Sequence, residues 1–267
     1  MERIGRLLDF LAARRSRALA CRMCLAVLCL PLAAQELGLD STEGLELVNV
    51  VATPDSLDGQ RGLKVIGDPE VLQEAQKKRA EMLAAMRARG ERPQGPSAFA
   101  ALRTHHLAIV KDLEFGNGTI EVEVSGQPAP GAQGGARGFV GIVWRMQEDH
   151  KTYDCFYLRP TNGRADDQER RNHTVQYISH PEWPWYRFRN ETPSRYEAYA
   201  DVVPGEWIKL KITVNGEKAR IYVNGAEQPT LLVNDVKSGA NGTGKVALWL
   251  EGSTIAHYRN LKITANP

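Results

Sequence analysis

Residues 208–223 leave few choices of fold. Ile208, Leu210, Ile212 and Val214 alternate with Lys209, Lys211 and Thr213, a period of two that gathers the apolar side chains on one face of a strand. Asn215-Gly216 follows, after which Ala219, Ile221 and Val223 resume the alternation. Asn-Gly between two such runs is a strong hairpin signal, because both residues tolerate positive φ. A hairpin with one apolar face needs a second layer to cover that face. The remaining chain supplies it. Residues 119–124 alternate strictly, and 45–51, 63–66, 140–144, 153–158, 174–178, 245–250 and 258–264 are short apolar, β-branched or aromatic runs. With Gly-rich turns and no internal repeat, the pattern predicts an all-β chain of two antiparallel sheets packed face to face.

One segment keeps a different period. Asp68 can cap a helix with Pro69 in its first turn, and Val71, Leu72, Ala75, Met82, Leu83 and Met86 recur at helical spacing. Gly90 ends the pattern, with Pro93 and Pro96 beyond it. This predicts one inserted surface helix over about 69–89.

The first 34 residues follow another logic. Six arginines precede or flank an apolar run at 23–32, and Leu32-Ala33-Ala34 ends it before Gln35. That is the order of a secretory signal peptide, so residues 1–34 are expected to be a leader and 35–267 a single domain, secreted or periplasmic. The leader carries a net +4, so the whole-chain +2 becomes about −2 without it. No basic surface is left to suggest a nucleic-acid partner. Outside the leader no apolar run is long enough to span a membrane, so no membrane association of the mature chain is expected. Cys21, Cys24 and Cys29 leave with the leader, and Cys155, inside an apolar run, is expected to be a buried thiol.

Chemistry concentrates at about 160–200, expected to be a long polar and aromatic loop. Tyr157, Arg159, Asn172 and Gln176 supply hydrogen-bonding groups, and Trp183 and Trp185 supply flat faces. Sugar rings need both, C–H faces to stack and hydroxyls to fix, so carbohydrate is the expected partner. A strand over 172–179 would separate Asn172 and Gln176 on one face from His173 and Tyr177 on the other. Arg145 and Arg159 end neighbouring runs and could reach the same groove. Two catalytic schemes are open. A hydrolase needs two carboxylates, to be drawn from Glu121, Glu123, Asp154, Asp166, Asp167 and Glu197. An eliminating enzyme needs a base such as His173 or Tyr177 to remove a proton beside a carbonyl, with an arginine to stabilise the enolate. The catalytic candidates are therefore His173, Tyr177, Arg145 and Glu121. Asn162, Asp166 and Asp167 could hold Ca²⁺ in a surface loop. The adjacent His105 and His106 have no zinc-binding partner in view.

Several stretches resemble known families. Gly205-Glu206-Trp207 with the strand to Val214, residues 219–225 and residues 258–263 resemble the C-terminal half of a concanavalin A-like, laminin-G type jelly roll. Residues 115–121, the Gly138-to-Arg145 strand and Tyr153-Asp154 resemble the bacterial secreted 3-keto-disaccharide hydrolase domain. The resemblance covers about 100–265 and implies a jelly-roll sandwich with a concave sheet face that holds a sugar. The Glu-x-Asp-x-x-Glu strand of the family-16 glycoside hydrolases is missing, so the resemblance transfers no catalytic residues. A noncatalytic lectin-like or adhesive module stays open beside the glycoside-acting enzyme.

Overall fold

The structure is a computed structural model that describes residues 34–132 and 134–266. The expected leader, Ala34 apart, lies outside the described residues, as do Cys21, Cys24 and Cys29. Strands β1 (Ala34–Leu37), β2 (Leu45–Val48), β3 (Val50–Leu57) and β4 (Gln60–Gly67) come first. Helix α1 (Pro69–Ala88) and a 3₁₀ helix at Pro96–Leu102 follow. Next come β5 (His106–Val110), β6 (Asn117–Pro128), β7 (Val140–Met146) and β8 (Tyr153–Leu158). A second 3₁₀ turn at Pro160–Asn162 and α2 (Gln168–Asn172) lead into β9 (Val175–His180), α3 (Trp185–Glu191) and β10 (Glu197–Ala198). The chain then forms β11 (Ile208–Asn215), β12 (Lys218–Val223), β13 (Leu231–Val233), β14 (Lys245–Leu250) and β15 (Thr254–Asn266).

These strands form two antiparallel sheets. One runs β13-β12-β11-β6-β15-β4-β3, with β1 also paired to β15; the other runs β10-β9-β8-β7-β14-β5-β2. Non-sequential neighbours such as β6 between β11 and β15 mark the long crossovers of a jelly-roll-like sandwich. In β11 the predicted alternation is seen directly, with Ile208, Leu210, Ile212 and Val214 buried and Lys209 and Lys211 exposed. Its turn lies one residue further on than expected. Asn215 still pairs with Lys218, so Gly216 and Glu217 make the loop. Only Gly216 has positive φ, at 57°, the sign pattern of a type II′ turn rather than the Asn-Gly type I′ turn.

A single apolar cluster joins the inner faces, from Ile120, Leu210 and Tyr258 on one sheet to Ile142, Phe156 and Tyr177 on the other. Cys155 is a buried free thiol, and burial pushes its pKa well up. β6 and the start of β7 lie close together at Gly126, where a Cβ would collide with Gly138 O and Val140.

The predicted helix is α1. Asp68 accepts from the amides of Glu70 (2.9 Å) and Val71 (3.3 Å), Pro69 opens the first turn, and Gly90 leaves it at φ 71°. None of its residues is buried. Leu72 pins it, lying against Gly67 and Gly252 where a Cβ would clash.

The segment expected to be a loop carries α2, β9, α3 and the edge strand β10. Asp167 caps α2 by accepting from the Arg170 amide at 3.1 Å, and His173 is the C-cap. Helix formation thus removes Asn172 and His173 from the strand, which begins at Val175. Among the described residues no helix is long and apolar enough to cross a membrane.

Candidate functional site

Strand parity decides which side chains of the seven-stranded sheet leave the core. Phe156 pairs with Tyr177 and Ile142, so these three share the inner face. Tyr153 opposite His180, and Tyr157 opposite Gln176 and Gly141, share the outer one. On that outer face lies a cavity of about 710 Å³, floored by Tyr153, Tyr157, His180 and Trp249. Its roof is the inserted helical segment, through Leu72, Arg79 and Phe99. The glycine at 141 is required, since a Cβ there would fall 2.1 Å from Phe156 O. With no side chain at Gly141, the Tyr157 and Trp249 rings on its two sides pack 5.0 Å apart.

One end of the cavity is an aromatic and imidazole cluster. His105 Nδ1 lies 2.7 Å from the Tyr153 hydroxyl, and the Asn49 side chain donates to His105 O at 2.8 Å. His105, Tyr153 and His180 meet edge to face, with centroids 5.3–5.6 Å apart. An Arg103 amino group lies 2.6 Å from His180 Nδ1. A guanidinium can only donate, so that ring nitrogen accepts and the imidazole is neutral. Burial, then the Arg103 and His106 charges, hold His105 down to about 4. Burial with the same arginine holds His180 down to about 2. Burial raises the Tyr153 hydroxyl well above its ordinary value. At neutral pH this end therefore presents uncharged imidazoles beside a cation.

The other end rests on a buried ion assembly. Glu197, on the edge strand β10, takes Arg189 at 2.5 Å and Arg159 at 3.8 Å. His173 Nδ1 lies 2.7 Å from the same carboxylate, without hydrogen-bond alignment. Arg159 donates to Tyr157 Oη (2.9 Å), Gln176 Oε1 (3.1 Å) and His173 O (2.6 Å). Burial pushes the Tyr157 hydroxyl up to about 12. Of the residues singled out from sequence, the fold thus brings together Tyr157, Arg159, Gln176, His173 and Trp185.

The family model for the 3-keto-alpha-glucoside-1,2-lyase-like domain matches residues 99–264. The chain belongs to this family. No curated protein matches it. Among solved structures, carbohydrate binding module CBM66 from Bacillus subtilis is similar at 14% identity and TM-score 0.45, covering 82% of this chain and 95% of that one. A protein of unknown function with galectin-like fold, also from Bacillus subtilis, is similar at 11% identity and TM-score 0.48, covering 86% and 94%.

In this lyase-like domain several predicted site residues lie elsewhere. Tyr177 points into the core, donating to Asp154 at 2.6 Å and accepting from the Lys237 amide at 2.8 Å, so it shares no floor with His173. Arg145 is also turned inward. Trp144 and Arg145 together oppose the single residue Val246, a bulge in β7, and Arg145 adopts φ 52°. Its guanidinium donates to the carbonyls of Gly116, Gly216 and Gly239, closing one end of the sandwich. Glu121 is on the other sheet, paired with Lys211 and Lys262. Asn172 is exposed and accepts from Gln168. Trp183 stacks on Phe188 at 5.2 Å and packs the loop onto the core. Asn162 is buried and Asp166 exposed, while Asp167 is occupied as a helix cap, so the Ca²⁺ candidates do not converge. Among the described residues no three His, Cys, Asp or Glu side chains gather where a metal could sit.

Sequence reasoning missed His105, His180, Arg103, Tyr153 and Trp249 as one site. The partners of His105 are 48 and 75 positions away. The one available signal was strand register, which sets Tyr153 opposite His180.

Proposed function

We propose that this lyase-like domain cleaves 3-keto glucosides by elimination within the roofed groove. The observation that carries the reading is the chemistry of the lining among the described residues: three imidazoles, of which His105 and His180 are held neutral, two tyrosines and the cations Arg79 and Arg103, against a single carboxylate, Glu251. Glycoside hydrolysis of the usual kind needs two carboxylates across the bond. Elimination needs one uncharged base, a cation and a sugar platform. His105 is the base: with Nδ1–H donated to the Tyr153 oxygen, Nε2 keeps a free lone pair. It takes the proton from C2, which the C3 carbonyl acidifies, and Arg103 stabilises the enolate oxygen. The enolate re-forms the ketone and expels the C1 oxygen, which recovers the proton. The products are a 1,2-unsaturated 3-ketone and the free alcohol. Trp249 and Tyr157 offer the sugar its stacking face.

The aromatic floor also suits a noncatalytic sugar-binding module, and one experiment separates the two. Methyl 3-keto-α-glucoside is incubated with the protein and followed by NMR. Growing vinyl signals and released methanol are expected. A 3-keto sugar without any enone, and without deuterium at C2 in heavy water, would replace elimination by hydrolysis. Line broadening without product would make the domain a binding module. We also propose that the chain is exported, on the strength of the leader-like residues 1–34.

A further inference from the structure

Away from the imidazole cluster the groove continues into an adjoining hollow of about 830 Å³, and Phe139, Trp185, Gln76 and Arg79 line both. Both aromatic walls are backed by guanidinium groups. Arg189 lies 4.8 Å from the Trp185 centroid, and Arg159 lies 5.7 Å from that of Phe139. Those two arginines converge on one carboxylate, Glu197, whose side chain is only 4% exposed. A buried carboxylate that holds two cations, each against a half-exposed ring, fixes both rings before any ligand arrives. That is what a stacking surface for a sugar needs, since rings already ordered lose little entropy on binding. Opposite them, Arg79 and Gln76 on α1 are exposed and offer donors for hydroxyls.

We infer that this hollow is a second sugar subsite, taking the leaving half of a disaccharide, with Trp185 as its platform and Glu197 as the positioning residue. The inference rests on the elimination reading for which ring is cleaved, but the subsite itself does not. A two-armed experiment keeps them apart. In the first arm, kcat/KM is measured for 3-ketomaltose and for methyl 3-keto-α-glucoside. The Trp185→Ala exchange is expected to lower the ratio of the two about tenfold, and Trp185→Phe to restore most of it, as a stacking contact predicts. In the second arm, unmodified maltose is titrated into the protein and the indole N–H signals are followed. The Trp185 signal is expected to shift, with the binding lost in Trp185→Ala. Equal loss on both substrates, or a shift confined to Trp249, would overturn the subsite. No turnover of either keto sugar, with the Trp185 shift intact, would leave the subsite standing and remove the elimination reading.

Discussion

At the scale of single residues, charge state separates the two ends of the groove. His105 and His180 are held neutral by burial and by Arg103. If His105 is the base, His105→Gln should cost about 10²–10⁴ in kcat while leaving the thermal midpoint close to that of the parent. A kcat that falls by less than tenfold would remove His105 from the chemistry. The acid limb of kcat/KM should lie at about 4, since that limb reports the free enzyme's base; a limb near 6.5 would point to an exposed histidine. The same depression acts on stability. Below the ordinary histidine value of about 6.5 the unfolded chain binds protons that the folded one refuses. The contribution is therefore fully present above about 6.5 and is lost as pH falls toward 4, which melts across that window would read as a falling midpoint. At the other end, Glu197→Ala leaves Arg159 buried and uncompensated. A loss of about 3–5 kcal/mol is expected in denaturant unfolding, and a loss within 1 kcal/mol would mean that the ion assembly is not organised by Glu197.

At the scale of elements, the two sheets and the helical roof are held very differently. β7 and β8 are buried along their whole lengths, whereas α1 has no buried residue. The roof can thus be disturbed without unfolding the sandwich. Ala80→Pro should break α1 near its middle, at a local cost of about 3 kcal/mol, and raise KM. The main unfolding transition should hardly move. A matching collapse of the melting midpoint would show instead that α1 is integral to the sandwich. The element scale is also where the sequence reading lost Arg145. Periodicity in β7 points its side chain to the outer face, but the two-against-one bulge at Trp144 and Arg145 turns it inward, and nothing in a run of apolar residues announces a bulge. In the same way the helix capped by Asp167 removed His173 from its expected strand.

At the scale of the whole molecule, the described chain begins with β1, whose Ala34 to Leu37 pair with Thr264 to Leu261 of β15. Processing after Ala34 would leave most of that strand in place. N-terminal sequencing of the protein recovered from outside the cytoplasm should therefore begin at Gln35; a start at Met1 would remove the export proposal. The all-β class, helix α1, the hairpin at 208–223 and the polar residues of 157–176 were all legible in the sequence. Each depends on neighbours along the chain: a period of two or 3.6, a cap, a turn residue. The imidazole end of the groove was not legible. It joins the 3₁₀ segment before β5 to β8, β9 and β14, so its members are near one another only after both sheets have formed. The charge state of its histidines has the same origin, because desolvation belongs to the folded environment and not to the residue. By itself the sequence determined the elements and the faces they had to bury. Only the tertiary structure decided which polar side chains share one groove, because register, bulges and crossovers set distances that no local pattern encodes.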